Sequence, residues 1–444
     1  MAYSDWRQWL RALPWSLKWF VLLILIRPVL DIFYFVKDIS PLLSPLNIIG
    51  VLTPLLILGS MLSSRFPGRI KSSSDIFMTL WGICLGLNIL AVLTLDLAIE
   101  SVEIVTKIVT PFLLYWFVRH LVRSKRDLLG VITTFLYSTI VPFGMLIYEQ
   151  LVSPLSSVVY TRGYYRYEGL YADVVSYAIY IIGAWLIVGY FFLERGNRAT
   201  FGRRAILLVA VGSLTVAGLL SMHHTASWGV AAAILALLAF HSLGKSNYPA
   251  FFLILTLGVA GSYVVGDTIG ERIESALATD IAVIEGGKSV DRAFHGRVSR
   301  WRGYIESWTE MPLHAKLGGV SLSIDKPIGA MLLSGIHSDY LRITFSTGLI
   351  GLIFYLMFYI GIFARSWRSS SADRFLIQGA MAIILLYSIT TTPTLYAPLM
   401  YLAMSILAYG AILDKPGAKR VVEASRFPVR TSRPFERPST LAAR

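Results

Sequence analysis

Gly335-Ile336-His337-Ser338-Asp339-Tyr340 runs straight into Leu341–Leu356, an apolar stretch that contains Gly348 and Gly351. A polar turn carrying one histidine therefore feeds a span. Continued to residue 363, the run has the roughly 20 residues that a helix needs to cross a bilayer. A histidine placed there sits where water meets a membrane helix. The junction sets the class of the chain: crossing helices with candidate chemistry at their mouths.

The composition agrees. Of 444 residues, 55% are hydrophobic and only 15% charged, against roughly 25% charged in soluble proteins. The apolar residues come in long runs instead of alternating, as in a polytopic membrane protein. A formal net charge of +14 does not point to nucleic acid, because the positive residues lie in short loops between apolar runs. Cys84, the single cysteine, excludes a disulfide framework and a cysteine-based metal site. It reads as a small packing residue. Arg7, Arg11 and Lys18 precede a run long enough to span, so no cleavable signal peptide is expected.

The fold class expected is an all-α polytopic membrane protein with about twelve transmembrane helices and one large periplasmic helical loop. The spans fall near 17–36, 45–63, 75–95, 99–118, 128–151, 170–193, 204–221, 225–243, 249–267, 339–363, 375–391 and 396–413. Alternate loops hold more than half of the 40 Lys and Arg, including Arg119, Lys125, Arg365 and Arg374. The positive-inside rule puts those loops and both termini in the cytoplasm. The organisation expected is thus 1–267 with nine spans, 268–338 as the large loop, 339–413 with three spans, and 414–444 as a disordered basic tail.

Two extracytoplasmic segments break the pattern. Leu151–Gly169 carries Arg162 and Arg166 among Tyr160, Tyr164, Tyr165 and Tyr167. Thr268–Ile336 is the longest loop, with mixed charge, and a loop of that length is usually a functional element. Its periodicity predicts two helices lying on the membrane. Ile273, Leu277, Ile281 and Ile284 share one face. Val298, Trp301, Ile305 and Trp308 share another, with Arg297 and Arg300 beside it and Tyr304 at its flank. Arg302 and Glu306 point away as an i,i+4 pair.

His337 is the candidate base, since imidazole titrates near neutrality; a helix-capping histidine is the plainer alternative. Arg166, Arg162, Arg297 and Arg300 are candidates for phosphate, which the planar guanidinium fork fits; salt bridges to nearby carboxylates are the alternative. Tyr165 and the tyrosines around it read either as an interfacial belt or as a platform for sugars. Arg27–Asp31 and Glu103–Lys107 lie one turn apart within spans, where charges pair or line a wet cavity. No metal site, P-loop or dinucleotide fingerprint is present, and no cofactor is expected.

His337-Ser338-Asp339-Tyr340-Leu341 with Gly348-Leu349-Ile350-Gly351, Gly296-Arg297 followed by Trp301, and Arg166-Tyr167-Glu168-Gly169-Leu170 together resemble the O-antigen ligases and the O-antigen and exopolysaccharide polymerases. The match runs over roughly 160–360. Met311–Gly319 is longer than the family's turn, and Ser338 stands where asparagine is common. The resemblance implies a metal-independent glycosyltransferase of the GT-C type in the bacterial inner membrane. Its substrate would be an undecaprenyl-diphosphate-linked oligosaccharide. Arg166 and Arg297 would hold the diphosphate and His337 would activate the acceptor hydroxyl. Arg300, Arg162, Tyr165, Tyr304 and Asp339 are assigned to substrate binding. Membrane lipid, a flippase and a chain-length regulator are the partners implied. Polymerase is the leading reading and ligase, with lipid A–core as acceptor, its near rival. A lipid-linked oligosaccharide flippase is the alternative of another class.

Overall fold

A computed structural model describes residues 3–40, 43–63, 72–95, 99–122, 124–152, 155, 160–161, 164–165, 170–171, 174–195, 225–243, 282–283, 285, 293–320 and 336–413. The expected spans 204–221 and 249–267, the Ile273–Ile284 helix and the tail 414–444 lie outside these residues, apart from 282–283. Every other expected span falls on a helix.

In chain order the helices of six residues or more are α1 (Tyr3–Ala12), α2 (Trp15–Ile32), α3 (Pro45–Ser63), α4 (Ser73–Leu95), α5 (Ile99–Leu121), α6 (Lys125–Ser138), α7 (Ile140–Leu151), α8 (Val174–Arg195), α9 (Thr225–Leu243), α10 (Ala293–Glu310), α11 (Leu313–Gly318), α12 (Asp339–Ser366), α13 (Ser371–Thr390) and α14 (Ala397–Gly410), with a 3-10 turn, Phe33–Phe35, and a single helical turn, Val36–Ile39, following α2. A 3-10 turn, Pro393–Leu395, joins the last two. A two-residue ladder, β1 (Tyr160–Thr161) against β2 (Tyr164–Tyr165), interrupts this helical chain.

Among the described residues, six helices are long and apolar enough to cross a membrane. That is fewer than the twelve expected. Lys18, Arg27 and Asp31 load α2 with charge, and α14 is a short apolar helix. Burial ranks the six. In α8, 89% of the apolar window is buried, against 17% in α3. A helix that is apolar all round belongs inside the protein or in lipid; α8 takes the first course and α3 the second.

Helix ends separate into two groups, and the contacts between them show it. At one end, Arg119 of α5 meets Asp75 of α4 at 3.3 Å, and the Tyr115 hydroxyl donates to the same carboxylate at 2.7 Å. There too Lys125, at the start of α6, reaches Glu194 of α8 at 3.0 Å and Asp373 of α13 at 3.2 Å. Ser124 and Asp127 form the capping box that starts α6. Arg365 donates to Ser73 at 2.9 Å. At the opposite end, the Tyr180 hydroxyl donates to Asp31 at 2.7 Å, Tyr177 to the Pro142 carbonyl at 3.0 Å, and Tyr340 to the Leu385 carbonyl at 2.8 Å. The first group holds Arg119, Lys125, Arg365 and Arg374, from loops that the charge pattern assigns to one side. The second holds His337.

Candidate functional site

α12 begins at Asp339, but its helical backbone breaks at Gly348, which has φ 69° and ψ −179°. Only glycine adopts that backbone readily. The break frees the Phe345 carbonyl, which accepts from the Val320 backbone at 2.8 Å. Through it α11 docks on α12. Gly319, with φ 89°, follows α11, and a Cβ on Gly348 would overlap the Leu317 carbonyl. Asn88 of α4 donates to the Gly318 carbonyl at 3.3 Å. Backbone groups exposed by a broken spanning helix must find partners within the protein, and α11 supplies them. The amphipathic pair α10–α11 is thereby fastened over the histidine end.

α10 presents Tyr304 inward. Tyr304 is 7% exposed, and its ring meets Phe345 edge-on at 6.2 Å. Ile305 is 50% exposed, which corrects the expected stripe: the inner face runs Arg297, Trp301, Tyr304, Trp308, at spacings of four, three and four. Arg302 and Glu306 are exposed and 3.9 Å apart, as expected. Trp301 Nε1 donates to the Ile336 carbonyl at 3.3 Å, so α10 grips the residue before His337.

His337 itself has φ 48°, a left-handed backbone that costs a non-glycine residue free energy. Its neighbours hold it there. Ile336 is buried. The Ser338 hydroxyl donates to the Ser388 carbonyl at 3.1 Å. Asp339 is 0% exposed. Its backbone donates to the Thr391 carbonyl at 3.1 Å. Its carboxylate accepts from the Thr394 backbone at 2.9 Å, the Thr394 hydroxyl at 2.8 Å and the Arg342 guanidinium. The resemblance assigns Asp339 to substrate; a carboxylate buried under three donors instead clamps α12 to the Pro393–Leu395 corner. Tyr304, also assigned to substrate, is likewise packed into the protein.

The histidine ring is exposed, yet surrounding protein desolvates it. That desolvation, then the Arg297 and Arg300 guanidiniums, lower its pKa below the usual histidine value. Burial and Arg300 lower that of Arg297, with Tyr396 opposing them. So α10 brings two charges toward one histidine; Arg297 does so from the inner face, whereas Arg300, expected beside the inner stripe as well, stands exposed. A guanidinium that is partly desolvated beside a like charge favours an anion. An imidazole kept neutral near pH 7 can accept a proton. Together they suit a reaction in which negative charge departs while a hydroxyl loses its proton.

Arg166, Arg162 and the Tyr165 side chain lie outside what is described, and so does the side chain of Glu103. Tyr165 is seen only as backbone in β2. Among the described residues no group of three His, Cys, Asp or Glu converges. Tyr396, by contrast, joins the site without a sequence motif of its own. The polar corner Thr391-Thr392-Pro393-Thr394-Leu395 before it was the available signal: a proline-bearing turn between two apolar helices. No protein-family model matches the chain, and no curated protein does.

Proposed function

We propose that this chain is a bacterial membrane glycosyltransferase that extends a surface polysaccharide from a polyprenyl diphosphate. The positive-inside rule makes the Arg119–Lys125–Arg365 end cytoplasmic and the His337 end periplasmic. There His337 takes the proton from an acceptor hydroxyl, and that oxygen forms a bond to the anomeric carbon. The bond from that carbon to the phosphate oxygen breaks. The diphosphate leaves with the electron pair, facing Arg297 and Arg300, whose charge stabilises it. Arg166 enters the same site on the strength of the sequence resemblance.

One observation supports this most: α10, whose Trp301 bonds the Ile336 carbonyl, sets Arg297 and Arg300 near a partly desolvated His337, whose pKa desolvation and then the two charges lower, at the mouth of α12. The acceptor is proposed to be a second lipid-linked repeat unit. Purified protein with a defined polyprenyl-diphosphate oligosaccharide should yield a ladder of longer glycans on a gel. Arg166→Ala, Arg297→Ala and His337→Ala should each abolish it with unchanged protein level in the membrane. Transfer only to added lipid A–core would make the chain a ligase. No transfer to either acceptor would reject the reading.

A further inference from the structure

Beside the histidine corner a cavity of about 160 Å³ opens, with α2, the start of α8 and the Leu395–Pro398 turn among its walls. Arg27, Asp31, Tyr171, Ser176, Tyr396 and Pro398 line it. Arg27 Nε donates to Asp31 at 2.7 Å, and both side chains are nearly buried, at 11% and 13% exposure. The Tyr180 hydroxyl holds the second oxygen of Asp31 at 2.7 Å. Tyr171 is 1% exposed. Its ring is fixed against Tyr177 at 5.6 Å and Tyr180 at 5.8 Å. Its hydroxyl nevertheless has no hydrogen-bond partner among the described residues. Buried phenols are nearly always partnered, and Tyr171 is one of the residues that line the cavity.

The volume is well beyond what one water needs. The wall sets two tyrosines, Tyr171 and Tyr396, and a fixed donor–acceptor pair among aliphatic residues that include Leu46, Ile179 and Leu395. Aromatic faces take C–H surfaces; Asp31 accepts from hydroxyls, and Arg27 and Tyr171 donate to them. Phosphate is the poorer guest, because Asp31 already neutralises Arg27. Arg297 and Arg300, two like charges near His337, suit an anion better.

We propose that this cavity is a subsite for one neutral monosaccharide ring, held by Arg27, Asp31 and Tyr171. That the ring belongs to a lipid-linked glycan rests on the transferase reading; that the guest is a neutral polyol rests on the cavity alone. The two sites adjoin at Tyr396, so a sugar here lies next to a diphosphate beside Arg297.

Saturation-transfer NMR on the purified full-length protein, with a panel of free neutral hexoses and deoxyhexoses, tests it. At least one sugar should receive saturation from wild-type protein. Tyr171→Phe should weaken its binding about fivefold, the effect of one hydrogen bond, with an unchanged melting curve, since that hydroxyl bonds nothing in the fold. His337→Ala should bind it as wild type does. No transfer to any sugar, or equal binding by wild type and Tyr171→Phe, overturns the subsite. Sugar bound here by a protein that extends no glycan would leave the subsite standing and reject the transferase. Glycan extension with an acceptor KM indifferent to Tyr171→Phe would do the reverse.

Discussion

At His337, three separate constraints converge on one side chain: a left-handed backbone, anchors on both flanking residues, and two nearby positive charges. The last has a measurable sign. Desolvation and, after it, the positive neighbours disfavour imidazolium, so the neutral base persists below the ordinary histidine pKa of about 6.5. In kcat/KM, which reports the free enzyme, activity should fall toward acid with a limb below pH 6.5. Arg300→Ala removes a repelling charge, so the histidine pKa rises and the limb should move to higher pH. A pH–rate profile of the two proteins checks this; an unmoved limb would separate Arg300 from His337. The sequence placed the histidine at a helix mouth and paired it with Arg297. It did not reveal the role of Asp339, because whether a carboxylate meets substrate or clamps a corner depends on Thr394, 55 positions away.

At the level of elements, the docking of α10–α11 onto the break in α12 decides the site's shape. Periodicity was enough to find α10 and to turn Arg302 outward. It misassigned Ile305 and Tyr304, adjacent residues only 100° apart on the helix, because hydrophobicity cannot say which of two neighbours meets Phe345. Gly348 was legible as a motif but not as a kink; its reason is the Leu317 carbonyl, which arrives from a distant loop. Gly348→Ala should therefore unseat α11 while α12 still inserts. A destabilisation of about 2 kcal/mol or more is expected from the overlap combined with the positive φ. Limited proteolysis should cut between residues 311 and 320 faster than in wild type, and glycan extension should be lost. A variant with wild-type protease resistance would mean that α11 does not depend on this joint.

Over the whole molecule, the charged loops forecast which helix ends gather, and the Lys125–Glu194–Asp373 and Arg119–Asp75 contacts join ends that the forecast placed together. The number of spans was less legible, since α2 carries three charges that composition alone cannot pair. Opposite sidedness can be measured directly. With Cys84→Ala as background, Glu310→Cys should react with an impermeant maleimide from the periplasm. Arg368→Cys should react only after the inner membrane is opened. Reaction of both from the same side would undo the topology. Beyond topology, the proposal needs a diphosphate held between α10 and His337. The most direct measurement is the affinity of purified protein, in nanodiscs, for a polyprenyl diphosphate without sugar. Saturable binding is expected, weakened about tenfold or more by Arg297→Ala, and less well restored by Arg297→Lys, which lacks the planar fork. Equal affinity in wild type and in the Arg297→Ala, Arg300→Ala double variant would contradict it.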